Sequence, residues 1–86
     1  MARPAAAVAR FPAFDVELDV RGLSCPLPAL RARAALQKMK EGQVLRLVST
    51  DRDSPRDFAR FAQATGNALL AQRTTRREFV FYLRKG

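Results

Sequence analysis

The sequence contains no histidine and only one cysteine, Cys25. Without histidine the chain cannot build a Cys-His or Ser-His catalytic pair, and a transition-metal site loses its commonest ligand. A lone thiol excludes an internal disulfide framework, an internal CxxC redox pair and a structural zinc cluster. Long apolar runs are also missing, none approaching the ~20 residues of a membrane-spanning helix. The opening segment MARPAAAVARFPAF has an Ala/Val patch too short for a secretory h-region, and Pro4 and Pro12 interrupt any amphipathic helix. Residues 1–14 therefore read as a flexible lead-in and residues 15–86 as one domain. The expected location is the cytoplasm, with no membrane partner.

Charge of one sign is scarce as well. Eight Asp+Glu stand against 16 Lys+Arg, a formal net charge of +8, and all but three of the cations are arginine. Such a surface attracts nucleic acid or acidic protein partners. The arginines are nevertheless scattered along the chain, as a general preference for Arg over Lys would also leave them.

What is present is regular patterning. DVELDV, residues 15–20, alternates Val16, Leu18 and Val20 with Asp15, Glu17 and Asp19, the signature of a strand with one buried face. RGLS turns the chain at Gly22. From Pro26 to about Lys40 the residues favour helix, and Ala29, Ala32, Leu36 and Met39 form a stripe for a core; Gly42 is expected to end it. VLRLVST, 44–50, reads as a second strand. A second helix is expected to start with Ser54 as N-cap, Pro55 as first helical residue and Asp57 completing a capping box. Phe58 and Phe61 would face its core, and Gly66 would stop it. Residues 68–73 and 78–84 read as a closing hairpin around TTRR. The order β-α-β-α-β-β, with its right-handed crossover, predicts an α/β two-layer sandwich with both helices on one face of the sheet and the other face solvated.

Cys25 falls at the junction of first strand and first helix. The spacing predicts Cys25 at the N-cap, Pro26 at N1 and Pro28 at N3, where missing N–H groups do no harm. The prolines stiffen the turn and aim the sulfur. A helix N-terminus favours an anion by roughly 0.3–1 kcal/mol, which would lower a thiol pKa by well under one unit. The expected thiol is mildly activated, with the N–H groups of Leu27 and Ala29 left to face it. A free cysteine of this kind can also be simple apolar filling, but a rigid two-proline turn serves no purpose in that role. With no resolving cysteine and no general base, the chain can accept a group on sulfur and pass it on, but cannot complete a redox or hydrolytic cycle alone. That inventory suits a carrier rather than an enzyme.

The stretch LDVRGLSCPLPALRARAALQKMKEGQVLRLVSTD, then SPRDFARFAQATG and a hairpin ending RKG, resembles the TusA-like (SirA-like) sulfur-carrier family over about residues 15–86. The specific element is GLSCPLP, a Gly-x-x-Cys-Pro-x-Pro signature. The resemblance implies a βαβαββ fold with two helices on a four-stranded mixed sheet, and Cys25 as the site of a transient persulfide, with no other cofactor. It further implies a cysteine desulfurase or rhodanese-type donor, and an acceptor of DsrE type or from tRNA thiolation. Asp19, Gly22, Pro26 and Pro28 match motif positions in supporting roles. Leu27 and Leu30 lie off the core stripe near Cys25; with Arg21 and Arg31 they would form a docking rim for an acidic partner, and packing under the lead-in or against the sheet edge is the equal alternative. Two other readings compete: a small basic nucleic-acid-binding module, in which Tyr82 could stack on a base although its strand position favours a plain sheet-face residue, and a redox-regulatory protein forming mixed disulfides through Cys25.

Overall fold

A computed structural model describes residues 11–86, so residues 1–10 of the expected lead-in lie outside the described residues. Six elements follow in the order β1 (Val16–Val20), α1 (Leu27–Gln37), β2 (Val44–Ser49), α2 (Ser54–Thr65), β3 (Ala68–Thr74) and β4 (Phe79–Arg84). The strands form one mixed sheet in the order β1-β2-β4-β3, with β1 parallel to β2 and the other pairs antiparallel. The two-layer βαβαββ sandwich is therefore the fold.

The alternation in β1 places Val16, Leu18 and Val20 toward the helices, where they meet Leu45 and Leu47 of β2 and Phe81 and Leu83 of β4. Ala32 and Leu36 of α1 and Phe58 of α2 close this core. The Phe58 and Phe81 rings approach to 4.8 Å between centroids, close enough for direct aromatic packing. Phe61 packs edge-on against Phe58.

The opposite face is not left to water. Val44, Val48, Val80 and Tyr82 form a second buried cluster there, with Phe11 stacked on Tyr82 at 5.8 Å and Phe14 tilted beside it at 6.4 Å. Both β2 and β4 carry apolar residues on each side, so a strictly one-faced sheet would have exposed a patch of valines. Arg46 crosses this face between its register neighbours. It ion-pairs with Glu17 and donates from Nε to the Tyr82 hydroxyl at 3.3 Å. Tyr82 is thus a packed sheet residue with its hydroxyl engaged, which removes it as a base-stacking platform.

Strand ends differ from the sequence reading by one residue, and the boundaries around the helices differ for identifiable reasons. Helix α1 ends at Gln37 instead of near Lys40. Beyond it, Lys38 and Met39 donate to Ala35 and Leu36 in tighter turns, and the Lys85 ammonium donates to the Leu36 carbonyl at 2.7 Å. Gly42, at φ 89°, serves the turn into β2 rather than the helix stop. The N-cap of α2 is Asp53, and the expected capping box does not form. Ser54 is instead buried in the first turn, its hydroxyl 2.6 Å from that of Ser49. Gly66 does close α2, in the left-handed conformation.

Candidate functional site

The parallel pairing of β1 and β2 brings the loops after their C-terminal ends together, a place where open α/β sheets commonly build sites. The antiparallel β3–β4 turn lies at this same end, since Ser49 pairs with Phe79. Cys25 is exposed at this corner. Cys25 lines none of three grooves of about 340–400 Å³ on the described surface, one of which lies at the opposite end, around Leu36, Thr65 and Lys85.

The corner is held from both sides. The Gly22 N–H donates to the Thr50 hydroxyl at 2.9 Å, with Gly22 at φ 83°, where a side chain would be strained. The Cys25 N–H donates to Asp51 Oδ2 at 3.0 Å. Asp51 is itself fixed, its N–H donating to the buried Ser49 hydroxyl at 3.1 Å and its Oδ1 accepting from the Asp53 N–H at 3.3 Å. The second loop therefore acts as a splint for the first.

The local geometry departs from the expected cap by one residue. Pro26 is the N-cap, the Cys25–Pro26 peptide is cis, and Pro28 is buried in the first turn. The Leu27 N–H donates to the Ser24 carbonyl at 2.9 Å, so it does not serve the sulfur. Cys25 therefore stands one residue before the N-cap, and the surrounding acids outweigh the expected mild acidification. Its thiol pKa is raised above the ordinary 9.0, chiefly by the nearby Asp57 carboxylate, which favours the protonated thiol, then by desolvation and the negative charges of Asp51 and Asp53. The site is an accessible thiol in an acidic setting, held in its neutral form.

The other expected site residues separate into two groups. Leu27, Leu30 and Arg31 share one face of α1 at i, i+3 and i+4 spacing. All three are exposed, Leu27 at 41% and Leu30 at 54%, large values for leucine beside the thiol. Arg21 does not join them. Its guanidinium reaches to the other face of the sheet, where it binds Asp19 at 2.9 Å and Glu78 at 3.1 Å. Asp19 also accepts from the Arg21 N–H at 3.0 Å, and these bonds hold its carboxyl down at about 2. Asp19 and Arg21 thus brace the turn after β1 and do not face the sulfur. Sequence reading missed Asp51, Asp53 and Asp57 as site residues; the acid-rich STDRDSPRD stretch, combined with parallel β1–β2 pairing, was the available signal. Among the described residues no group of Cys, Asp and Glu has the arrangement of a metal site.

Similarity to known proteins bears on the same region. Residues 16–85 match the family described as Sulfurtransferase TusA. The sulfur carrier protein TusA of Allochromatium vinosum is 47% identical over 72 residues, covering 84% of this chain and 95% of that protein. The crystal structure of a SirA-like protein from Desulfitobacterium hafniense superimposes with a TM-score of 0.73 at 20% identity, over 84% of this chain and 99% of that one. The fold, the placement of the thiol corner and these similarities together show that the chain belongs to the TusA family.

Proposed function

We propose that this protein is a sulfur carrier that holds sulfane sulfur as a persulfide on Cys25. The observation that carries the reading is the exposed thiol on a corner braced by Asp51, beside the uncovered face of Leu27, Leu30 and Arg31. In loading, a Cys25 thiolate attacks the outer sulfur of a donor hydrodisulfide. The donor S–S bond breaks with its electron pair going to the donor thiolate, and Cys25 retains the outer sulfur with its proton. Unloading is the same exchange, with Cys25 as the leaving thiolate. No oxidant enters either step, and the chain alone completes no catalytic cycle.

The donor under this reading is a cysteine desulfurase or a rhodanese-type protein. The acceptor is a cysteine of a DsrE-type or tRNA-thiolation protein. Leu27 and Leu30 supply the apolar contact a docking protein needs near the reacting sulfur. No helix among the described residues is long and apolar enough to cross a membrane; we place the exchange in the cytoplasm, where thiols stay reduced. The test is incubation with a cysteine desulfurase and cysteine, followed by intact mass measurement after thiol blocking. One added sulfur on the wild type and none on Cys25→Ser is expected; no adduct on the wild type, here or in a parallel incubation with a rhodanese-type protein and thiosulfate, would refute the reading.

A further inference from the structure

A groove of about 340 Å³ runs between the β2–α2 loop and the β3–β4 turn, lined by Thr50, Arg52, Arg76, Arg77 and Phe79. It adjoins the thiol corner through the backbone: Thr50 accepts from Gly22, and the next residue, Asp51, accepts from Cys25. Arg76 and Arg77 sit on a turn closed at both ends by Thr75 and Glu78, whose N–H to carbonyl bond is 2.9 Å. The only acid of that turn, Glu78, is drawn to the opposite face by Arg21 at 3.1 Å. Consequently none of the three groove arginines forms an ion pair among the described residues. On the other side of the corner stand the carboxylates of Asp51, Asp53 and Asp57. This end of the molecule therefore presents adjacent patches of opposite sign, with the thiol on the acidic side.

We infer that the groove of Arg52, Arg76 and Arg77 receives an acidic segment of the protein that exchanges sulfur with Cys25. The inference rests on the carrier reading and adds to it where and how the partner is held. A planar guanidinium suits bidentate binding of a carboxylate, and three around one short groove fit a pair of acidic side chains, with Phe79 as an apolar floor. A nucleic-acid backbone fits less well. Its evenly spaced phosphates need a continued basic track, whereas this patch stops at the aspartates on one side and at the Asp19–Arg21–Glu78 cluster on the other. A folded partner can offer acids to the groove and keep them away from the aspartates, and that asymmetry fixes its orientation over the thiol.

The test titrates the isotopically labelled full chain with a hexaglutamate peptide and, separately, a hexauridylate RNA, followed by amide NMR. The peptide is expected to shift Thr50, Arg52, Arg76, Arg77 and Phe79 equally in wild type and Cys25→Ser. Its affinity should fall at least tenfold in Arg76→Glu/Arg77→Glu and, on the other wall, in Arg52→Glu. Desulfurase loading of the double variant at low salt should slow by about tenfold, the lower end of electrostatic steering, and the difference should vanish in high salt. Peptide shifts elsewhere, tighter RNA binding at these arginines, or equal loading of wild type and double variant would each overturn the inference. Failure of the wild type to load at all would instead refute the carrier reading, while the titration would still decide whether the groove takes acids.

Discussion

Asp51 supports the thiol corner in two ways that one pair of substitutions separates. Its carboxylate accepts from the Cys25 and Asp53 N–H groups at 3.0 and 3.3 Å, and its charge is one of those that keep the thiol protonated. Hydrogen bonds to a charged group contribute about 1.5–3 kcal/mol when shielded. Both bonds here are solvent-accessible and one is long, so about 1 kcal/mol each is appropriate. Asp51→Ala should then lose about 2 kcal/mol in urea unfolding, or roughly 8–16 °C in Tm for a domain of this size. The Cys25 amide, released from its acceptor, should exchange with deuterium about fivefold faster from the local loss alone. Asp51→Asn can turn its single amide oxygen to the Cys25 N–H, so it should retain most of that amide's protection while losing the weaker bond from the Asp53 N–H. It nevertheless removes the charge, and Cys25 should react faster with iodoacetamide at neutral pH in both variants. If Asp51→Ala unfolds like wild type within 0.5 kcal/mol and leaves the Cys25 amide as protected, the second loop does not splint the first and the reasoning fails.

Two further predictions concern pH. Alkylation of Cys25 followed against pH should show a midpoint above the ordinary 9.0, and Asp57→Asn should move it down, because that carboxylate is the main cause of the rise. A thiol raised in the folded state stabilises the protein fully below 9.0 and loses that contribution as pH climbs through the folded value; an unchanged midpoint in Asp57→Asn would contradict the geometry. For Asp19 the sign is opposite: its carboxyl, held at about 2 by Arg21, stabilises the fold above the ordinary 3.8 and loses the contribution as pH falls toward 2. Carboxyl NMR should place the Asp19 midpoint near 2 in wild type and return it toward 3.8 in Arg21→Ala.

The elements governed by local alternation were legible without a structure. β1 follows the alternation of DVELDV from Val16 onward, and the Phe58 face of α2 follows helical spacing. Misreadings arose where a tertiary partner overrode a local preference. Ser54 is a strong N-cap residue by type, yet its hydroxyl binds buried Ser49, which leaves Asp53 to take the cap position. The Leu27 N–H turned back to Ser24, which moved Cys25 out of the helix. Phe11, placed in the lead-in by its neighbourhood, stacks on a tyrosine 71 positions later; no local signal encodes that contact. Of the site, the sulfur and its prolines were readable from one short motif. The aspartates that set its protonation come from the β2–α2 loop and the first turn of α2, 26 or more residues away, and needed the parallel pairing to be located.

An acidic setting around a nucleophilic sulfur looks contradictory until rates are weighed. Below the thiol pKa, each tenfold loss of thiolate accompanies a rise in intrinsic nucleophilicity of about threefold, because the Brønsted coefficient is about 0.4–0.5. The net loss in attack is therefore only about threefold for each such step. The effect on departure is different, since a more basic thiolate leaves more slowly and no gain in thiolate fraction offsets it. Under the carrier reading, Asp51, Asp53 and Asp57 thus slow loading modestly and hinder the escape of Cys25 from its persulfide. Under the same reading, sulfur placed on this corner would be retained until an acceptor arrives. A docking surface that brings cationic charge against those carboxylates would remove their influence and speed release. The acids on the thiol side and the arginines in the adjoining groove then place complementary demands on one partner face.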